Sequence, residues 1–286
     1  MRLYFFQSQL RRAVLGGMFV TFAISLAPAQ TTRPHYVSIT YMQTLPGKAD
    51  EFRKFAETTL VKLGQSGVDD GVLDAYYIAR LTPPYTTGSD YNYVQAVWYK
   101  DNPSLAPLDR KLWDARVKKA GFTSYDQYVD KRESLAKSVR TQYRTVSWRI
   151  GNLHAGNYMR AASWQVEPEY RQETAQFIQE YMLPLAQARV NDGTSEGWGV
   201  TRPAAAMMSN DEAGFSFSIV NVLKDADTLW KGPGTMSEEF FKKALPGKNY
   251  ATYLADGNRL AAHRKIVTTR VFEVVALAGT PSKVAP

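Results

Sequence analysis

Histidine is the side chain best suited to proton transfer and metal binding near neutral pH, and this chain has three. His35 precedes a segment with strand alternation, His154 lies in a short linker, and His263 ends a helical segment. None belongs to a His-x-x-x-His or Glu-x-x-His pair, so no zinc or iron site on one helix is predicted. His263 is a candidate ligand for haem iron, although Arg259 and Arg264 beside it favour an ordinary helix-end histidine.

Cysteine is absent, so the chain has no thiol nucleophile, no thiolate ligand and no disulfide. A serine nucleophile needs a histidine placed beside it, and the scattered histidines disfavour serine hydrolase chemistry. We therefore expect no resident cofactor and no metal. Haem held by His263 is the alternative that stays open.

Aromatic side chains are the next candidates for chemistry. The chain has 17 tyrosines, 13 phenylalanines and 6 tryptophans. Large rings usually fill the space between a sheet and its helices, but tyrosine hydroxyls also orient flat ligands in apolar pockets. A pocket between helices and sheet is one interpretation, and simple core packing is the other. The candidate ligand-binding residues are Tyr77, Tyr93, Trp98 and Trp148.

Arg144 lies on a long predicted strand among apolar neighbours. An ionisable group in such surroundings can position a substrate or assist proton transfer, or it can lie at an exposed edge. The candidate catalytic residues are Arg144, Tyr77 and His263. These residues do not decide whether the protein is an enzyme.

Two similar halves carry these residues. Identical residues recur at an offset of 122 that rises to 125 along the chain. The matched pairs include Tyr36 and Tyr158, Phe55 and Phe177, Arg80 and Arg202, and Tyr128 and Tyr253. Two copies of one unit with short loop insertions leave such a pattern. Because Tyr77 corresponds to Gly199 and Trp148 to Glu273, we expect one open and one filled pocket.

Each half is predicted to run strand, helix, strand, strand, helix, strand. An antiparallel sheet with helices on one face must bury its other face, and the sister copy is the nearest partner. The predicted fold is therefore α+β, with two tandem ferredoxin-like units packed sheet to sheet. The expected domains are residues 30–152 and 153–278, preceded by a signal peptide at 1–29 and followed by a disordered tail at 279–286.

This element order, the Leu-Pro-Gly-Lys turn at 45–48 and the long closing strands resemble the dimeric α/β-barrel superfamily. The resemblance covers residues 35–277 and implies the fused tandem form. It also implies the activities known in that group, namely cofactor-independent monooxygenases, small isomerases and haem-binding enzymes of the chlorite-dismutase kind. No catalytic motif of these enzymes can be carried onto this sequence residue by residue.

The first 29 residues have the pattern of a secretory signal. Arg2, Arg11 and Arg12 precede a mostly apolar run at 13–27, and small residues surround a cleavage point before Gln30. The run is shorter than the roughly 20 residues of a spanning helix, so no membrane association is expected after cleavage. The sequence thus predicts an exported protein, periplasmic or extracellular.

The formal net charge is +8, but basic residues alternate with acidic ones and no run of five like charges occurs. A nucleic-acid partner is therefore not expected. The predicted function is binding of a small apolar or aromatic molecule in a helix–sheet pocket. The alternatives are a cofactor-independent monooxygenase or isomerase and a haem-binding protein that uses His263. The sequence does not specify the ligand or the oligomeric state.

Overall fold

Strand-type alternation recurs along the chain, and each such segment forms a strand in the computed structural model, which describes residues 35–100, 110–204, 214–231 and 236–284. The predicted signal peptide lies outside the described residues. The strands are β1 (His35–Thr44), β2 (Leu73–Leu81), β3 (Tyr93–Tyr99), β4 (Ala136–Gly151), β5 (Tyr158–Val166), β6 (Gly197–Pro203), β7 (Phe217–Leu223) and β8 (Arg264–Gly279).

Helices connect the strands at the predicted places. They are α1 (Ala49–Phe55), α2 (Val61–Asp69), α3 (Arg110–Lys119), α4 (Tyr125–Glu133), α5 (Arg171–Phe177), α6 (Leu183–Asn191), α7 (Ala226–Lys231), α8 (Glu238–Ala244) and α9 (Tyr250–Ala262). A π-helical turn, Ala56–Leu60, joins α1 to α2, and Ile178–Met182 joins α5 to α6. Polar side chains at Ser124, Ser237 and Asn249 cap α4, α8 and α9. Among the described helices, none has the length and apolarity needed to cross a bilayer.

The eight described strands close into one antiparallel barrel in the order β1-β3-β2-β8-β5-β7-β6-β4. Strands of the first half stay together, as do those of the second. The pairs β2–β8 and β4–β6 join the halves by backbone hydrogen bonds. The sequence predicted two sheets packed face to face, whereas the structure also joins their edges, so that each described strand has a neighbour on both sides along at least part of its length.

Apolar side chains form layers on both sides of the barrel wall. The interior is filled by residues such as Val37, Val94 and Phe272. The helices of the first half cover the outer face through Phe52, and those of the second half through Ile178. Because both faces of the wall are buried, inward and outward residues are equally apolar along most strands.

The chain after Gly279 is ordered as far as Val284, which corrects the prediction of a disordered tail for these residues. Val284 pairs with Arg149 of β4 through two backbone hydrogen bonds of 2.8 and 2.9 Å. The physical reason is an open strand edge. The ladder between β1 and β4 begins at His35 opposite Val146, so the later residues of β4 have free backbone groups for the tail.

Candidate functional site in the barrel interior

Three cavities follow one another along the interior of the barrel, and neighbouring cavities share lining residues. The inner and middle cavities each have a volume of about 70 Å³, and the open mouth has about 630 Å³. The inner cavity is lined by residues that include Val37, Tyr77, Trp98, Arg149 and Gly199. The middle cavity includes Ile39, Tyr77, Met159, Val220 and Arg270. The mouth includes Tyr41, Asp90, Tyr91, Arg140 and Phe215.

Arg144 lines all three cavities. It lies on β4 opposite Val37 of β1, two residues from Gln142, so both side chains point inward. Only 6% of Arg144 is exposed. Its Nη2 donates to the Tyr41 hydroxyl at 2.9 Å and to Oε1 of Gln142. Its buried Nε has no hydrogen-bond partner among the described residues.

Tyr41 and Gln142 are also bonded to each other. The Tyr41 hydroxyl donates to Oε1 of Gln142 over 2.9 Å, so the hydroxyl both donates and accepts. The acceptors of the Arg144 guanidinium are thus neutral groups, and no described carboxylate forms an ion pair with it. Within the described ranges, the positive charge of Arg144 therefore has no counter-charge.

Two further arginines point into the barrel. Arg270 lies on β8, which stands four places from β4 in the ring of eight described strands and thus on the opposite wall. It lines the middle cavity and the mouth, and its Nε also lacks a described partner. Arg149 lines the inner cavity and donates to the carbonyl of Pro281. Burial lowers the pKa of Arg149 to about 10.

A β-bulge explains why Arg149 faces the interior. Val146 pairs with Thr201, but Trp148 pairs with Val200, so Ser147 is an extra residue on β4. The bulge reverses the alternation after Val146. Arg149 consequently turns inward, and Trp148 turns outward.

The four predicted ligand-binding residues do not lie together. Tyr77 and Trp98 line the barrel interior. Tyr93 faces the helices on the other side of β3, where its ring meets Phe52 edge-on at 4.8 Å. Trp148 borders the inner cavity but packs mainly in the second helix layer. The expected helix–sheet location is therefore corrected for Tyr77 and Trp98, because their strand positions point away from the helices.

Burial also changes the chemistry of Tyr77. Desolvation raises its pKa to about 12, and the positive charges of Arg144 and Arg149 oppose this rise. A hydroxyl with this pKa remains protonated at neutral pH. Tyr77 is therefore suited to donating a hydrogen bond to a bound molecule and not to acting as a base.

A pocket of about 130 Å³ does lie between helix and sheet in the second half. Its lining includes Leu185, Arg189, Trp198 and Tyr253, and none of the predicted site residues. Nearby, residues 193–197 read Gly-Thr-Ser-Glu-Gly, which fits the Gly-x-Ser-x-Gly pattern of serine hydrolases. This segment leads from helix α6 into strand β6, the reverse of a nucleophile elbow, and the Ser195 hydroxyl donates to the Val222 carbonyl at 2.9 Å. The motif is therefore structural.

His263 does not have the surroundings of a haem ligand. Its Nδ1 lies 2.9 Å from a carboxylate oxygen of Glu167, and its ring stacks on Tyr170 with centroids 3.6 Å apart. It lines none of the cavities described above. His35 lies 3.8 Å from Asp74, and His154 is exposed. No metal-binding cluster of histidine and acidic residues occurs within the described ranges.

The mouth has aromatic walls and a positive floor. The rings of Tyr41 and Tyr91 meet edge-on at 4.7 Å, and Arg140 lies over the Tyr41 ring. Phe215 covers the Arg144 guanidinium, whose carbon lies 4.8 Å from the ring centre. Sequence reasoning missed Tyr41 and the other polar residues here, although strand alternation from Arg144 indicates that Gln142 shares its face.

The barrel architecture occurs in proteins of known structure. Two solved structures named "putative monooxygenase" share it. The structure from Fusobacterium nucleatum subsp. nucleatum is 10% identical, covers 89% of this chain and 99% of its own chain, and has a TM-score of 0.53. The structure from Lactobacillus acidophilus is 8% identical, covers 87% of this chain and 98% of its own chain, and has a TM-score of 0.51. A heme-binding protein from Thermus thermophilus aligns with a TM-score of 0.43 at 12% identity over 84% of this chain and 91% of that chain.

The sequence matches no protein-family model and no curated protein. At identities of 8 and 10%, the likeness to the two monooxygenase-named structures concerns the fold alone. The chain has an α+β fold with a closed antiparallel barrel of eight described strands, which is consistent with the expected dimeric α/β-barrel fold.

Proposed function

We propose that this protein binds a small apolar or aromatic molecule inside the barrel. The observation that supports this function is the series of cavities that leads from the open mouth to the buried end, with mostly apolar inner and middle cavities and a mouth of mixed polar and aromatic lining. A mouth of about 630 Å³ has the size of small-molecule sites in other proteins. Along this series of cavities, Arg144, Tyr41 and Tyr77 supply oriented hydrogen-bonding groups.

Ligand titration tests this function. The purified mature chain is titrated with neutral and charged aromatic molecules, followed by tryptophan fluorescence and by the shift of the melting temperature. Trp98 lines the inner cavity, as do Trp148 and Trp198, so tryptophan emission is expected to change on binding and the change should be smaller in Trp98→Phe. A broad panel that alters neither fluorescence nor melting temperature would contradict the proposal.

Catalysis on the bound molecule is the second candidate, in the form of a cofactor-independent monooxygenase or isomerase. The observation that favours it over passive binding is the ordered polar group of Tyr41, Gln142 and Arg144 at the junction of the cavities. The two fold neighbours named as monooxygenases agree with it. Oxygen uptake measures the first reaction, and solvent deuterium exchange into the ligand measures the second. Loss of either signal in Tyr41→Phe would support catalysis.

We also propose that the barrel is a fused tandem of two ferredoxin-like units at residues 30–152 and 153–278. The strand junctions support this, because Ala75 pairs with Gly279 and Gly197 pairs with Gly151 in equivalent ways. Ala75 and Gly197 are 122 residues apart, and so are the two π-helical turns. The two segments co-expressed as separate chains should assemble into a soluble complex, and failure to associate would argue against independent units.

Export remains a proposal that rests on the composition of residues 1–29. The mature chain recovered from a periplasmic or culture fraction should begin at Gln30. N-terminal sequencing checks this, and retention of Met1 in the folded protein would contradict it.

A further inference from the structure

The barrel interior concentrates positive charge. Four arginines line the three cavities together with one acidic residue, Asp90. Asp90 is already paired with Arg140 at 2.9 Å, and both lie at the exposed mouth. The deeper residues Arg144, Arg149 and Arg270 form no ion pair with a described carboxylate.

A buried cation without a counter-charge is costly, because removal from water is not offset by an opposite charge. Arg144 is 6% exposed and Arg149 is 7% exposed. Buried Nε–H groups of Arg144 and Arg270 lack described acceptors. Such arrangements persist at sites where a ligand brings the missing charge.

We propose that the molecule bound in the barrel is a small aromatic anion, such as an aromatic carboxylate, whose charged group binds Arg144 and whose ring lies in the mouth. This inference rests on the proposed binding function and specifies its ligand class. A planar guanidinium is the group that best matches a carboxylate. Arg144 stands where all three cavities meet, and Arg270 faces the same middle cavity from the opposite wall.

The shape of the cavities sets the orientation of the ligand. The middle cavity holds about 70 Å³, which suits a carboxylate and not a ring. The mouth is far larger, and the aromatic residues Tyr91 and Phe215 line it. Ring stacking in the mouth and charge pairing at its floor can therefore occur together.

The test compares 2-naphthoate with 2-naphthamide, which has nearly the same shape without the charge. Calorimetric titration of the wild-type chain should give binding of the carboxylate about tenfold or more tighter, since hydrogen bonds to charged groups contribute more than neutral ones. Arg144→Met should weaken carboxylate binding much more than amide binding, so that the preference for the carboxylate is lost. Arg202→Met is the matched control, because Arg202 lies on the outer face over Phe217 at 4.8 Å.

The outcomes separate the two proposals. Equal affinity of the wild-type chain for carboxylate and amide would overturn the anion inference while small-molecule binding stands. Absence of binding by either compound, and by the wider aromatic panel, would overturn the binding function itself. The comparison of carboxylate with amide on the wild-type chain does not depend on a variant. The inference can therefore still be refuted if Arg144→Met fails to fold. In crystals soaked with 4-iodobenzoate, an iodine peak outside the mouth would also overturn it.

Discussion

Replacing Arg144 by methionine is expected to stabilise the ligand-free protein. Methionine is unbranched and flexible like the aliphatic part of arginine but has no charge, so it fills that part of the space in the interior. The structure shows which stabilising and destabilising interactions of Arg144 the substitution removes. The substitution removes two hydrogen bonds from Nη2 and the contact with Phe215. It also removes a buried charge whose Nε has no described acceptor.

The two lost hydrogen bonds have a charged donor, and such bonds contribute about 1.5–3 kcal/mol each, while the contact with the Phe215 ring contributes about 0.5–1 kcal/mol. The desolvation penalty of a buried cation is several kcal/mol, and exchanging buried charged groups for apolar ones is often stabilising by about 1–4 kcal/mol. Tyr41 and Gln142 keep their mutual hydrogen bond of 2.9 Å, so neither is left without a partner. We expect a net gain of about 1–2 kcal/mol.

Thermal unfolding of exhaustively dialysed protein measures this gain. For a chain of this size, a gain of about 1–2 kcal/mol raises Tm by roughly 2–8 °C. Arg259→Met serves as the control, because Arg259 is exposed and its charge is paired with Glu173. Its loss should leave Tm unchanged or lower it. If Arg144→Met lowers Tm by more than the control does, Arg144 is a net stabilising residue and the argument from an uncompensated charge is refuted.

Three further outcomes are expected. Gly279→Ala should destabilise the fold by about 2–4 kcal/mol in urea unfolding, because the φ of Gly279 is +69° and a Cβ would clash with the Asp74 carbonyl oxygen. Gly156→Ala is the control: the φ of Gly156 is +89° but no atom lies within 4 Å of the added Cβ, so the loss of stability should be clearly smaller. Burial raises the pKa of Tyr77 from 10 to about 12, so the native state binds more protons than the unfolded state above pH 10. The stability of the wild-type protein should therefore fall relative to that of Tyr77→Phe between pH 10 and 12. Parallel curves of unfolding free energy against pH for the two proteins would contradict this expectation. Deleting residues 280–286 should lower Tm, because the Arg149 guanidinium loses its acceptor at Pro281; an unchanged Tm would show that the tail does not stabilise the barrel.

Strand alternation in the sequence carried more information about the site than the count of aromatic residues. Tyr93 and Trp98 are five positions apart on one strand, so a regular strand places them on opposite faces and they cannot line one cavity. The structure shows this separation. Arg144 was recognisable as a charged residue on a long predicted strand, and the same alternation indicates Gln142.

Arg149 and Arg270 were not recognisable in this way. The inward turn of Arg149 depends on the bulge at Ser147, which the local sequence does not mark. Arg270 faces Arg144 only because β8 and β4 occupy opposite walls after the barrel closes. Such a meeting depends on residues far apart in the chain, and no local pattern encodes it.

The sequence by itself determined the order of strands and helices, the similarity of the two halves and the absence of thiol chemistry, because these follow from periodicity and residue type. Only the tertiary structure decided that the cavities lie inside the barrel and that unpaired arginines meet there. Pairing of β2 with β8 and of β4 with β6 closes the wall and fixes which face of each strand is interior. Closure therefore turns side chains from distant segments toward one common space.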